Sequence, residues 1–161
     1  MNNVPFNLGW FPALRHLKIQ RRSSYKDHLA ALHFLTRLLS ISSTGIEVLE
    51  IETTWNSVWR GHGKNLFSSD AGWSTLDQLS TSEMFASLRK IVLHLDLWMN
   101  VPRDSLHLQP ILESERNLTL PYVNDLFPLF KALTDPQRTL ELHLAVVRDK
   151  DDDNDGEHVI Y

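Results

Sequence analysis

The sequence predicts an α/β fold in which about four short parallel strands alternate with helices. A short pattern recurs along the chain: an apolar residue, two variable residues, and then two apolar residues that flank a variable one. It occurs at 14–19, 46–51 and 88–93, and a looser copy lies at 139–144. Helix-like stretches separate the copies, and buried strands that alternate with helices are typical of a parallel sheet.

A unit that returns along the chain in this way is typical of a leucine-rich-repeat solenoid. The copies are 32, 42 and 51 residues apart, whereas ordinary repeats are roughly 20–29 residues long. We therefore predict an irregular solenoid fragment that forms one domain over residues 1–148 and lacks a true N-terminal cap. Residues 149–161 are predicted to be an acidic flexible tail. A doubly wound α/β domain is the alternative, because it also needs buried strands with helices between them.

Each copy of the pattern marks one predicted strand. Pro12 biases its predecessor toward extended geometry just before the first strand. In that strand, Leu17 and Ile19 point to one side of the sheet, while Lys18 and Gln20 point to the other. The third strand has the strictest alternation of the four. The predicted strands cover residues 14–20, 47–53, 91–98 and 139–147.

Three helices are predicted between the strands. Residues 27–40 carry leucines at helical spacing on one stripe. Ser74 has the side chain of an N-cap residue, and Asp77 lies in the first turn of the helix that follows. A third helix begins at Pro121, and Pro128 kinks or restarts it. The residues that the last two helices are expected to bury are Leu76, Leu79, Val123, Leu126 or Phe127, Phe130 and Leu133.

Two segments are predicted to be irregular. Residues 54–72 have no clear period, and three tryptophans lie in this segment or at its margin: Trp55, Trp59 and Trp73. These side chains either anchor a partner or cover the open rim of the solenoid, and we favour the second interpretation. Residues 101–120 are predicted to be a loop with a short helical piece.

Charge and composition exclude several function classes. The chain carries a formal net charge of −4, and residues 149–157 alone hold six acids and one lysine. The remaining body is close to neutral and has no clustered basic face for nucleic acid. There is no cysteine, no secretory signal and no apolar run near the ~20 residues of a membrane helix. We therefore expect an intracellular protein, in the cytoplasm or the nucleus, with neither a nucleic-acid nor a membrane partner.

No pattern indicates catalysis, a cofactor or a metal. His28 and His33 are five residues apart, so they do not share a helix face as zinc ligands at i and i+4 do. No Gly-x-Ser-x-Gly turn and no phosphate-binding loop is present. Residues 151–156 match the opening of a calcium loop, but its twelfth position falls past Tyr161. We expect no enzyme activity, no cofactor and no bound metal.

Three segments, 11–17, 73–79 and 85–91, resemble the C-terminal halves of F-box/leucine-rich-repeat proteins. The likeness is closest to the divergent set in mushroom-forming (basidiomycete) fungi, where a tryptophan and a Leu-Asp pair precede a helix and Phe-x-x-Leu opens the next strand. It extends over about residues 10–145. It implies a substrate receptor of a cullin-type ubiquitin ligase, whose repeat region binds the target. No segment resembles the Leu-Pro-x-Glu F-box, so no residue here is assigned to ligase recruitment.

The outward residues of the strands are the candidate partner-binding face. In the simplest parallel register, the first row is Lys18, Glu50, Val92 and His143. A second row is Gln20, Glu52, His94 and Ala145, and a third is His16, Val48, Lys90 and Glu141. The candidate face comprises Lys18, Gln20, Glu50, Glu52, Lys90, Val92, His94, Glu141 and His143. The alternative is an ordinary solvated sheet face, since polar side chains face outward in either case.

These observations together predict a protein-interaction module of the substrate-receptor type, with no catalysis of its own and a target that the sequence does not identify. Two alternatives stay open: a small α/β ligand-binding or enzymatic domain, and a non-functional remnant of a longer F-box protein. The first repeat has an uncovered edge, so copies of the chain are expected to associate through it.

Overall fold

The computed structural model describes residues 11–24, 37, 45–67, 72–101, 107–133, 137–148 and 159–160. Within these ranges, five strands form one sheet in the order β1-β2-β3-β4-β5. The first four are parallel and follow chain order, and β5 is antiparallel to β4. The prediction of an α/β fold with four parallel strands is confirmed. The strands are β1 (His16–Ser24), β2 (Val48–Val58), β3 (Lys90–Met99), β4 (Thr139–Arg148) and β5 (Val159–Ile160).

The register of β1, β2 and β3 is the one that the recurring pattern predicts, with Lys18 opposite Glu50 and Glu50 opposite Val92. The predicted register of β4 is wrong by two residues. Glu141, and not His143, lies opposite Val92. A shift of two residues keeps every side chain on its original face, so the apolar pattern alone cannot distinguish the two pairings.

Helices occupy the two connections that the structure describes. Between β2 and β3 lie a 3-10 helix (Gly63–Phe67), α1 (Trp73–Ser80) and a second 3-10 helix (Glu83–Phe85). Between β3 and β4 lie α2 (Leu108–Asn124) and α3 (Pro128–Ala132). Their buried side chains join the inward side chains of the strands in one apolar core. Its members include Ile51, Trp55, Leu76, Leu93, Leu97, Leu112, Val123, Phe127 and Phe130.

The predicted loop at 101–120 is wrong from Leu108 onward, because α2 begins there. The prediction that a helix begins at Pro121 is also wrong, since Pro121 lies in the last turns of α2. Its buried positions are Leu112, Glu115, Thr119 and Val123. Two of these four residues are polar, so the stripe does not stand out as an apolar period. Pro128 is the first residue of α3, where a backbone N–H would have no partner within the helix, so its absence costs no hydrogen bond. Leu133, which was expected to be buried, is exposed.

Ser74 is not the N-cap of α1. Gly72 precedes the helix in the left-handed region, at φ 86°, and no side chain caps the helix start. Asp77 is buried instead, and its carboxylate accepts hydrogen bonds from the backbone N–H groups of Leu129 (2.8 Å) and Phe130 (2.9 Å). The buried position of Leu76 is confirmed, and Leu79 packs against the core while partly exposed.

The predicted irregular segment at 54–72 is shorter than expected, because β2 continues through Val58. Trp55 and Trp73 are core residues and do not cover a rim. The Trp55 ring meets Phe67 edge-on, with centroids 5.4 Å apart. The indole N–H of Trp73 donates to the carbonyl oxygen of Leu66 at 2.7 Å. Trp59, in contrast, is 56 % exposed.

The turn after β2 is fastened to α2 by Glu115. Its carboxylate is buried and accepts hydrogen bonds from the backbone N–H groups of Gly61 (2.6 Å) and Gly63 (2.8 Å). A carboxylate that accepts backbone N–H bonds at the start of a helical turn stabilises that turn. The segment between β2 and β3 is therefore tied to the helix layer that follows β3.

Some predictions fall outside the described residues. They are the helix at 27–40, with His28 and His33, and the calcium-like residues 151–156. Within 27–40 only Arg37 is described, and it is helical. At the end of the predicted flexible tail, Val159 and Ile160 instead form β5, opposite Val147 and Val146. Their backbone groups extend the ladder of β4, and the flexibility of the tail stays a prediction.

Candidate functional site

The sheet has one side that carries the helices and another that carries polar side chains. Inward residues such as Leu49, Ile51 and Leu93 belong to the apolar core. The residues between them point to the opposite side, which we call the outer face, because side chains alternate along a strand. All nine residues of the predicted partner-binding set lie on the outer face: Lys18, Gln20, Glu50, Glu52, Lys90, Val92, His94, Glu141 and His143. That a protein binds there stays a prediction.

Two complete rows of these residues cross the four parallel strands. The first row is Lys18, Glu50, Val92 and Glu141. The second row is Gln20, Glu52, His94 and His143. The two-residue shift of β4 therefore places the two histidines side by side and brings Glu141 beside Val92.

Lys18 and the two glutamates of β2 form an ionic cluster. The ammonium of Lys18 lies 2.7 Å from Glu50 Oε1 and 3.1 Å from Glu52 Oε2. The hydrogen bond from Gln20 (2.7 Å), followed by that from Lys18, lowers the pKa of Glu52. Lys18 likewise lowers the pKa of Glu50, and both carboxylates raise the pKa of Lys18. Lys18, Glu50 and Glu52 therefore stay charged near neutral pH. Their ion pairs connect β1 to β2, which are far apart in sequence.

Glu50 is the centre of this cluster. Its side chain is only 17 % exposed, although it lies on the outer face. Besides Lys18, the carboxylate meets Nε2 of His16 at 3.3 Å and Nε2 of His94 at 3.5 Å. One carboxylate on β2 thus gathers polar side chains from β1 and β3.

A histidine pair and a second ion pair occupy the β3–β4 half of the outer face. The imidazoles of His94 and His143 are stacked, with centroids 4.7 Å apart and an interplanar angle of 12°. Lys90 Nζ lies 2.6 Å from Glu141 Oε1. Val92 lies between these two pairs along β3 and is only 8 % exposed. The β3–β4 half of the outer face therefore presents two stacked imidazole rings next to the side chain of Val92.

Arg22, Asp96 and Trp98 also lie on the outer face, and they are outside the predicted set. Burial, followed by the negative charge of Glu52, raises the pKa of Asp96. The guanidinium of Arg22 lies over the Trp98 ring, 4.7 Å from its centroid. The alternation of the third strand, which extends to Trp98, was the sequence signal that could have identified the two β3 residues.

Among the described residues, no three His, Cys, Asp or Glu side chains are placed to hold a metal ion. A cavity beneath α1 has a volume of about 10 Å³, space for about one water molecule. Its lining residues are Leu49, Ile51, Leu76, Leu79, Ser80, Phe85 and Phe127. The outer face presents a broad surface of charged and planar side chains.

None of the helices in the described part of the chain has the length and apolar composition needed to span a bilayer. Comparisons with family models, with curated proteins and with solved structures found no match to this chain.

Proposed function

We propose that this chain is a protein-interaction module of the substrate-receptor type, as in the repeat regions of F-box/leucine-rich-repeat ubiquitin-ligase adaptors, with no catalysis of its own. The observation that carries the proposal is the outer face. Four parallel strands in chain order place charged and imidazole side chains in continuous rows, and the described helices pack on the opposite side of the sheet.

The strand order supports an irregular solenoid over a doubly wound domain. A doubly wound sheet reverses its strand order at a switch point, where a crevice for a ligand opens. Here β1 to β4 follow chain order without such a reversal. Right-handed crossovers in one direction place successive connections on the same side of the sheet. The β2–β3 and β3–β4 connections both contribute to the single core on that side.

The preorganised side chains support docking of a protein. Lys18, Glu50 and Glu52 already hold one another in place, so a partner does not have to order long flexible side chains on contact. The stacked imidazoles of His94 and His143 add two planar rings next to this network.

The proposal is tested by affinity capture with the full chain and two variants of equal charge change. The face variant carries Glu50→Lys and Glu52→Lys. The control variant carries Glu83→Lys and Glu113→Lys, two exposed acids outside the outer face. We expect the wild type and the control to capture the same protein and the face variant to lose it. Calorimetry with the purified partner then measures the loss.

Folding of each variant is checked by circular dichroism, so that a lost partner cannot be attributed to unfolding. Capture that is equal for the face variant and the wild type contradicts the proposal. Capture that the control loses to the same extent also contradicts it, because the binding then depends on net charge and not on the outer face.

A further inference from the structure

One side of β1 presents a row of backbone groups without a strand partner. The N–H of Val48 on β2 donates to the carbonyl oxygen of Arg15 at 3.0 Å, so the odd-numbered residues of β1 pair with β2. The N–H and C=O groups of the even-numbered residues point away from β2. Within the described part of the chain, no strand lies beyond β1. We use the term β1 edge for the backbone groups of His16, Lys18, Gln20, Arg22 and Ser24.

A second row of this kind lies along β4. The N–H of Thr139 donates to the carbonyl oxygen of Arg89 at 2.7 Å, so the odd-numbered residues of β4 pair with β3. On the other side of β4, the described part of β5 lies only opposite Val146 and Val147. We use the term β4 edge for the backbone groups of Leu140, Leu142 and Leu144, which have no strand partner among the described residues.

The β1 edge and the β4 edge are complementary when two copies of the chain lie side by side with parallel strands. With Leu140 of one copy opposite Leu17 of the next, the N–H of Lys18 faces the carbonyl oxygen of Leu140, and the N–H of Leu142 faces the carbonyl oxygen of Lys18. Every side chain stays on its own face of the sheet, because the two strands have the same alternation. The same register already operates inside the sheet, where one row comprises Leu17, Leu49, Ile91 and Leu140.

Charge distribution favours this head-to-tail contact over a pair of two β1 strands. In the head-to-tail contact, Glu141 of one copy lies beside Lys18 of the next, and His143 lies beside Gln20. Two antiparallel β1 strands centred on Gln20 would instead place each Lys18 opposite an Arg22, and like charges in that position are destabilising. Lys18 already pairs with carboxylates of its own copy, so the backbone hydrogen bonds supply most of the attraction.

We propose that copies of this chain associate head to tail, with residues 139–145 of one copy added as a strand to residues 16–22 of the next. The contact ends where β5 occupies the positions opposite Val146 and Val147. Each added copy continues the outer face by four strands, and a contact between two different surfaces leaves one of each free for further copies. The inference concerns the strand edges and does not rest on the proposed function of the outer face.

Disulfide trapping tests the proposed contact, since the chain contains no cysteine. One variant carries Gln20→Cys and a second carries His143→Cys. These positions face each other in the contact at about 4.8 Å, which lies within the Cα separation of a disulfide. The control variant carries Thr139→Cys, on the same strand and the same face but about 13 Å out of register.

Equal amounts of two full-length variants are mixed and oxidised mildly, and the linked dimers are measured by mass spectrometry. We expect the Gln20→Cys and His143→Cys mixture to form the linked dimer about tenfold faster than the Gln20→Cys and Thr139→Cys mixture. Equal rates in the two mixtures overturn the proposal. Faster linkage of Gln20→Cys to itself also overturns it, because that result indicates pairing of two β1 strands.

Sedimentation of the chain without engineered cysteines provides a second measurement. The average mass of the wild type should rise with concentration, and that of Gln20→Pro should stay at the monomer value. Proline removes only a donor of the β1 edge at this position and leaves the ladder with β2 intact, which circular dichroism checks. A wild-type mass that stays at the monomer value at all concentrations overturns the proposal.

Discussion

Asp77 is a buried carboxylate on α1 whose hydrogen bonds go to the first turn of α3. It accepts the N–H groups of Leu129 and Phe130, which have no partner within their own helix. Asp77→Ala should lower the free energy of unfolding by about 1–3 kcal/mol, because it leaves one buried and one partly buried N–H donor unsatisfied. Asp77→Asn keeps one acceptor oxygen and should cost less.

Urea unfolding of the two Asp77 variants at neutral pH measures these losses. Glu83→Gln is the control, since Glu83 is an exposed acid. If Asp77→Ala were as stable as the control, the carboxylate would not cap α3 in solution.

Asp96 should make stability depend on pH. Its pKa is raised by burial and by the nearby charge of Glu52, so the folded state binds a proton more tightly than the unfolded chain does. The stability that this group contributes is present below the ordinary aspartate pKa and is lost as the pH rises through the raised value. Asp96→Asn should therefore stabilise the fold at pH 7 by about 0.5 kcal/mol, a small gain because solvent screens a half-exposed group.

Unfolding by urea at pH 7 and at pH 3 checks the sign of this effect. The advantage of Asp96→Asn should shrink at pH 3, where the wild-type carboxyl is protonated. The glutamates of β2 change stability in the opposite direction, because Lys18 and Gln20 lower their pKa values and acid removes that contribution. An advantage that grows toward acid pH would contradict the assignment.

At the scale of elements, the contact between the turn after β2 and α2 depends on a glycine. A Cβ on Gly63 would lie 2.7 Å from both Glu115 Oε1 and Thr119 Oγ1. Gly63→Ala should therefore destabilise the fold by about 1–3 kcal/mol, because it overpacks a closed contact. A Cβ on Gly61 meets nothing within 4 Å, although φ there is +78°. Gly61→Ala should cost about 1 kcal/mol from backbone strain alone.

Thermal unfolding of the two alanine variants separates crowding from backbone strain. The order of melting midpoints should be wild type, then Gly61→Ala, then Gly63→Ala. The reverse order for the two variants would indicate that α2 is not packed against this turn.

The elements differ in how well the sequence predicts them, and the reasons are physical. The strands carry consecutive alternation, and three of them share the same spacing of apolar residues, so their register follows directly. The stripe of α2 contains Glu115 and Thr119, whose burial depends on tertiary hydrogen bonds and packing that no local pattern contains. The register of β4 is undetermined for a different reason, since an even shift preserves its faces.

At the scale of the whole molecule, the outer face was largely predictable because it follows from alternation and parallel pairing. The contacts among its side chains were not predictable, because the approach of His16, Lys18 and His94 to Glu50 depends on the rotamers of residues on three strands.

The proposed binding face depends on the pairing of the four parallel strands in chain order, and cross-strand nuclear Overhauser effects measure that pairing directly. In an isotope-labelled full chain, the account predicts contacts between the backbones of Lys18 and Glu50, of Glu50 and Val92, and of His94 and His143. Contacts that show antiparallel pairing of these strands, or that place β1 beside β3, would contradict the account.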